Sequence, residues 1–280
     1  MSTITETLHS GWGQYFTDYE ILFEEKTKEQ HLLLIETSSH GRVLFLDGVV
    51  QLTEKDNFIY HEMLTHVPIF AHGDVRNVLI IGGGDGGIAK QALAHPHVQV
   101  TQVEIDEGVV TFSKKFLPEV SSGALDDPRM NLVIYDGAKF VKETSEKYDV
   151  IIIDSTDPIG PGEVLFTKEF YTDCSAILTE SGILVTQNGA PFMQQEELQT
   201  SVQYFRDIFA IGTCYLTTVP TYVGGPMALG FATNNNEALH VSLETLRSRY
   251  EKAGLATEYY NPEAHIAAFA LPEYIRRAIE

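Results

Sequence analysis

Five carboxylates carry most of the chemical interest of this chain: Asp85, Glu104, Asp136, Asp154 and Asp157. Asp85 stands inside VLIIGGGDGG, residues 78–87, where an apolar run breaks into Gly82, Gly83, Gly84, Gly86 and Gly87. Gly82, Gly84 and Gly87 satisfy the G-x-G-x-x-G spacing of a nucleotide-binding turn. Glu104 follows at the end of the next apolar run, VQVTQVEID, where an acid can accept hydrogen bonds from a ribose diol. On the spacing alone, a dinucleotide is the default ligand. Its pyrophosphate, however, would lie against the turn and the helix N-terminus, and Asp85 would repel it there. The loop therefore suits a nucleoside that carries positive charge.

The second dense segment is YDVIIIDSTDPIGPGEVLF, residues 148–166. Asp154 closes an apolar strand, and Asp157 follows in a loop rich in proline and glycine. Two acids three apart at a strand exit can hold an alkylammonium, whose three donors need acceptors. A plain turn is the competing reading, and the same loop would also serve as a lid. Asp136-Gly137 follows NLVIY and can either reach an adenine amino group or cap the helix starting at Ala138. His61, Glu62 and His66 look at first like a zinc helix. The two histidines are five apart rather than four, roughly 140° out of line on a helix, and no cluster of cysteines accompanies them, so no metal site is expected. There is no G-x-S-x-G and no Walker loop.

The elements that must position these groups are legible from the hydrophobic pattern. From Ile21 to Thr53 the chain reads as antiparallel β, HLLLIET, RVLFL and VVQLT, with His40-Gly41 and Asp47-Gly48 as turns. From about Asp56 the period becomes helical, through Phe58, Ile59, Met63 and Val67, and Pro68 is expected to end the helix. The strands VLII, QVTQVEI, NLVIY, VIIID and ILVTQ then alternate with helical segments, which predicts a mostly parallel sheet covered on both faces. IGTCYLTTV and MALGFAT predict an antiparallel edge hairpin. The expected class is α/β, with a small N-terminal β domain (1–55) followed by a Rossmann-like domain (56–280). Ligands bind outside the carboxyl ends of such strands, so Asp85, Glu104, Asp136 and Asp154 should face one mouth.

The formal charge is −20, a field that attracts cations and opposes nucleic acid and anionic membranes as partners. The first twenty-five residues hold no Lys or Arg and no long apolar core, so no secretory signal is expected. No apolar run nears the roughly eighteen residues of a spanning helix, so no membrane span is expected. Cys174 and Cys214 fit no C-x-x-C spacing and read as reduced thiols of a cytoplasmic protein.

Six segments in order, LFLDGVVQLTEKDNFIYHEML (44–64), VLIIGGGDGG, VEID, YDVIIIDSTDPIGPGEVLFT, PTYVGG and YYNPEAHIAAFALP, resemble the spermidine/spermine synthase family of aminopropyltransferases. The resemblance implies a methyltransferase-like Rossmann domain behind the β domain, assembled as a homodimer or homotetramer. It implies decarboxylated S-adenosylmethionine as a co-substrate, with no resident cofactor, and putrescine as acceptor, giving spermidine and 5′-methylthioadenosine. Position by position, it makes Asp154 the proton acceptor, with Asp157 and Tyr222 holding the diamine and Tyr60 facing the amine. Asp85 would grip the donor's aminopropyl ammonium, Glu104 its ribose, and Asp136 with Gly137 its adenine. Gln30, Gln51 and His61 would line the donor and amine pockets, and Pro161 belongs to the closing loop. Many relatives carry Arg-Glu where this chain has Lys90-Gln91, and some carry Gln at His61. Competing readings are other acceptors (cadaverine, agmatine or spermidine), a small-amine methyltransferase using S-adenosylmethionine, and a polyamine-binding protein without turnover. The methyltransferase needs a basic group for the donor carboxylate, and no basic residue is expected near the glycine loop.

Overall fold

The computed structural model describes residues 2–155 and 160–280. In chain order the N-terminal strands are β1 (Ile4–Thr5), β2 (Tyr15–Phe16), β3 (Tyr19–Lys26), β4 (His31–Thr37), β5 (Gly41–Leu46) and β6 (Val49–Thr53). β1 pairs with β2, and β3 to β6 form an antiparallel sheet in sequence order. Asp47 and Gly48 between β5 and β6 both have positive φ, 49° and 82°, as a two-residue turn matching the twist of its strands requires.

The chain continues through α1 (Asn57–His72), β7 (Asn77–Gly82), α2 (Gly87–Leu93), β8 (Gln99–Glu104), α3 (Glu107–Phe116), α4 (Pro118–Ser121), β9 (Met130–Ile134), α5 (Gly137–Glu143), β10 (Tyr148–Asp154), α6 (Lys168–Ile177) and β11 (Leu178–Gln187). It ends with α7 (Gln195–Ile208), β12 (Ile211–Thr217), β13 (Met227–Thr233), α8 (Leu243–Ala253), α9 (Pro262–Ala268) and α10 (Glu273–Ala278).

Among the described residues the second sheet has seven strands in the order β12-β13-β11-β10-β7-β8-β9. The five strands from β11 to β9 are parallel, and β12 and β13 form the expected antiparallel edge. Val150, Ile151, Ile152 and Ile153 of β10 are fully buried because helices cover both faces, so this strand reads as an unbroken apolar run. Alternate residues feed two cores, one against α1, α2 and α8, the other against α6, α7 and α10. A third core joins Leu32, Leu34, Leu44 and Leu52 of the N-terminal sheet to Val109 and Phe112 of α3. This packing sets the N-terminal sheet beside the carboxyl ends of β7 and β8. No described helix is long and apolar enough to cross a membrane.

One expected boundary is corrected. Pro68 does not end α1, which continues to His72 and stops at Gly73, whose φ is 88°. Residues 59–71 are all buried, so tertiary packing outweighs the hydrogen bond that proline forfeits. Neighbours take up carbonyls of this helix: the Tyr215 hydroxyl donates to that of Met63, and the Arg249 guanidinium to those of Phe70 and Ala71.

Candidate active site

β7 is the first strand of the large sheet; from it the chain runs to β8 and β9 on one side and returns to β10 and β11 on the other. The crevice where the winding reverses is where an open α/β sheet takes its ligand. A cavity of about 390 Å³ opens there, at the ends of β7, β8, β9, β10 and β11, and the N-terminal sheet supplies its other wall. Asp85, Glu104, Asp136 and Asp154 all line it, together with Gln30, Gln51, Tyr60, His61, Gly137 and Tyr222. Asp157 lies outside the described residues, as does the side chain of Pro161. The described lining also includes Glu6, Glu29 and Asp47, and it contains no Lys or Arg.

Asp154 and Gly82 are partners in register at the ends of β10 and β7. The backbone N–H of Gly83 donates to the Asp154 carbonyl at 3.1 Å, and a Cβ on Gly82 would stand 1.9 Å from that same oxygen. With its φ of 87°, only glycine fits there. Gln102, buried in the middle of β8, ties the loop from below, its Nε2 donating to the carbonyls of Gly82 (3.0 Å) and Gly83 (2.6 Å).

The Tyr60 hydroxyl donates to Asp154 Oδ1 at 2.6 Å, and the Tyr60 ring meets Tyr222 edge-on at 5.7 Å between centroids. Burial, with the negative charge of Asp85 beside it, pushes the Asp154 carboxyl up to about 6, against the opposing effects of Tyr60 and His61. The same burial, reinforced by Asp154, holds the Tyr60 phenol well above its ordinary value, so it is a donor at any working pH. Tyr222 donates its hydroxyl to the Gln51 carbonyl at 2.5 Å, linking the two sides of the mouth.

Asp85 Oδ1 accepts the Gly87 N–H at 2.6 Å and lies 3.4 Å from His61 Nε2. Burial alone would lower the His61 imidazole, but Asp85 and its hydrogen bond outweigh that and leave it raised. A Cβ on Gly87 would sit 2.1 Å from this ring, so the glycine is what admits the histidine. Here the sequence reading is corrected, for a basic residue does meet the glycine loop. It comes from α1, well before the loop in sequence.

Glu104 is buried, and burial raises its carboxyl to about 7 in spite of the backbone N–H of Asp106, which donates to Oε1 at 2.9 Å. Its Oε2 faces Gly84, where a Cβ would approach to 3.0 Å. Asp106 in turn accepts from Thr27 (2.8 Å) and Gln30 (3.2 Å), so the β3–β4 turn is fastened beside Glu104. Of the two readings of Asp136, the structure shows the helix cap. Its Oδ1 caps α5, accepting from Ala138 and Lys139, while the residue still lines the cavity, and the helix begins at Gly137. His66 points away from His61, to His95 (3.1 Å) and to Gln91 on α2 (3.2 Å).

Two family models match the chain, a spermine/spermidine synthase domain over residues 57–242 and a spermidine synthase tetramerisation domain over residues 3–54. The chain belongs to the spermine/spermidine synthase family. It is 58% identical over 274 residues to a polyamine aminopropyltransferase of Ruegeria sp. (strain TM1040), covering 98% of this chain and 96% of that one. It is 54% identical over 280 residues to polyamine aminopropyltransferase 1 of Pseudomonas aeruginosa, covering 100% and 98%. Among solved structures it superposes with a TM-score of 0.93, at 34% identity, on a spermidine synthase in complex with the transition state analogue AdoDATO. The spermidine synthase from Thermotoga maritima gives 0.90 at 33%, and both comparisons cover 99% of this chain and 94% of the other. The chain is thus a transferase of the aminopropyltransferase family, with that family's fold.

For this family member, sequence reasoning missed the residues that hold the site from outside. Gln102 and Asp106 are two. Glu62 is a third: next to His61 on α1, its carboxylate accepts the N–H groups of Glu258, Tyr259 and Tyr260 at 2.7–2.9 Å and so fixes the helix. β8 carries Gln99, Thr101 and Glu104 beside Gln102, so no local signal singles Gln102 out, and only its burial marks it.

Proposed function

We propose that the protein transfers the aminopropyl group of decarboxylated S-adenosylmethionine to putrescine, giving spermidine and 5′-methylthioadenosine. One observation carries the reading: a cavity at the switch point, lined by seven carboxylates and no described Lys or Arg, with Asp154 bonded to Tyr60 in its wall. Such a lining favours ligands that are cationic throughout. Both the decarboxylated donor, which lacks the carboxylate of S-adenosylmethionine, and a diamine meet that condition.

In this reading Glu104 accepts the ribose hydroxyls, Asp136 with Gly137 meets the adenine, and Gln30, Gln51 and Pro161 complete the donor pocket. Asp85 grips the aminopropyl ammonium, while Tyr60, His61, Asp157 and Tyr222 hold the amine. The lone pair of a neutral amine nitrogen forms the new N–C bond as the C–S bond breaks. The bonding electrons return to sulfur, which leaves as an uncharged thioether. The nitrogen's surplus proton passes to Asp154. An alkylammonium titrates near 10 and a free Asp near 4, a gap of roughly 8 kcal/mol, which a carboxyl raised to about 6 narrows to about 5 kcal/mol. Before the C–S bond breaks, the donor's sulfonium lowers the pKa of the entering amine and favours its neutral form. Because the sulfonium brings its own leaving group, we assign no cofactor. The match to a tetramerisation domain supports a homodimer or homotetramer, and the two buried free thiols support a reducing, cytoplasmic setting.

The test is to incubate the protein with decarboxylated S-adenosylmethionine and equimolar putrescine, cadaverine, agmatine and spermidine, identifying products by mass. Spermidine with methylthioadenosine is expected. A different aminopropylated amine would overturn the acceptor, and methylated amine in a parallel tube with S-adenosylmethionine alone would overturn the reaction.

A further inference from the structure

We propose that Asp56 is the positioning residue for the amine-holding end of the site, an inference that rests on the aminopropyl-transfer reading above. Asp56 is the N-cap of α1, where an aspartate ordinarily accepts an N–H of the helix's first turn. It makes no such bond. Buried at 6% exposure, its carboxylate instead accepts the Thr53 hydroxyl on Oδ1 (2.6 Å) and both the N–H and hydroxyl of Thr221 on Oδ2 (3.0 and 2.7 Å). A local preference given up at a buried charge points to a tertiary task.

That task is visible in what the three bonded segments carry. Asp56 caps α1, which bears Tyr60 one turn later; Thr221 precedes Tyr222; and Thr53 ends β6, whose backbone carbonyl at Gln51 takes the Tyr222 hydroxyl. Thr221 is gripped again through its carbonyl by Gln14 Nε2 at 2.5 Å. Asp56 thereby sets where Tyr222 stands against Tyr60, and Tyr60 holds Asp154. The ribose-facing end, built from Glu104, Asp106, Thr27 and Gln30, shares none of these bonds. Three hydrogen bonds to an ionised carboxylate, close to the positive end of a helix, form a stiff joint. Asp56→Asn would either turn an amide N–H₂ toward the Thr221 N–H, a donor facing a donor, or toward the Thr53 hydroxyl, and in both cases removes the charge that strengthens all three bonds.

The experiment measures kinetics of Asp56→Asn and Thr221→Val with donor and amine varied separately, alongside amide hydrogen exchange over residues 219–225. For Asp56→Asn the KM for putrescine should rise about tenfold or more while the KM for the decarboxylated donor stays within about twofold. Exchange at Thr221 and Tyr222 should quicken. Thr221→Val keeps the backbone bond and loses only the hydroxyl, so it should show the same split at smaller size; it carries the test alone if Asp56→Asn does not fold. Equal rises in both KM values, or unchanged exchange, would overturn the proposal. A wild type that transfers no aminopropyl group to any amine would instead overturn the reaction reading and the amine-holding role with it, while exchange would still report on the tether.

Discussion

In the proposed reaction Asp154 is suited to act as a base because its surroundings raise its pKa without removing its partner. Burial and the neighbouring charge of Asp85 push the carboxyl to about 6, and Tyr60 keeps one oxygen aimed. Ionised above that value, it can take a proton, and the neutral fraction of the amine grows until the pH nears 10. Turnover should therefore climb from about pH 6 into the alkaline range. Asp154→Asn should lose about 10²- to 10⁴-fold in kcat and lose the acid limb near pH 6, both read from a pH–rate profile. Near-normal turnover in that variant would remove Asp154 from the chemistry. Glu104 has its own signature. Its carboxyl is raised to about 7, and if it meets the ribose diol as proposed, the ionised form is the stronger acceptor, so donor affinity is expected to be higher above that pH and to weaken below it. The KM for the donor should fall as pH rises from 6 to 8, and Glu104→Gln should flatten that dependence.

At the scale of elements the decisive contact is α1 against the glycine loop. The ring of His61 fills the space that a side chain on Gly87 would need, and the ring is only 3% exposed and held at Asp85. Gly87→Ala gains up to about 1 kcal/mol in helix propensity but forces a buried ring to move, which costs about 1–3 kcal/mol, so the clash wins. Urea unfolding should show a net loss of stability, and the KM for the amine should rise with it; if neither moves, His61 is freer than this packing allows. The order of strands and helices was legible because central parallel strands are continuous apolar runs and the glycine turn has a fixed spacing. The carboxylates could be assigned to one mouth because each stands at or just past a strand end, or in the turn after one. The end of α1 was misread at Pro68 because the burial that sustains the helix comes from segments far along the chain. Asp56 and Glu62 were illegible for the same reason. Thr221, which Asp56 holds, lies 165 residues away and the partners of Glu62 lie 196–198 away, and nothing local announces a carboxylate that serves so distant a segment.

For the molecule as a whole, the buried ionisable groups pull in opposite directions, and the balance can be predicted. His66 is held at about 3 by burial and by His95, and His95 and His265 are held at about 4 by burial. An unfolded histidine titrates near 6.5, so below that pH the unfolded chain takes up protons at these three positions that the folded one refuses. Their contribution is present above about pH 6.5 and fades as pH falls. Glu104 and Asp154 act the other way. Their folded values, about 7 and about 6, lie above those of unfolded carboxyls, so the folded chain binds protons first and gains stability as pH drops toward 4. The three histidines, joined by His72, which burial also lowers, outnumber the two carboxyls, so the unfolded state takes up more protons between pH 6 and 5 and stability falls as the pH drops through that range. Donor binding should steepen this, because a diol on Glu104 favours its ionised form and cancels one opposing carboxyl. Urea denaturation at pH 5.0, 5.5 and 6.0, with and without 5′-methylthioadenosine, measures both slopes. A flat ligand-free profile would mean that the histidines are less deeply held than their packing implies. A ligand-bound slope no steeper than the free one would mean that Glu104 does not meet the ribose.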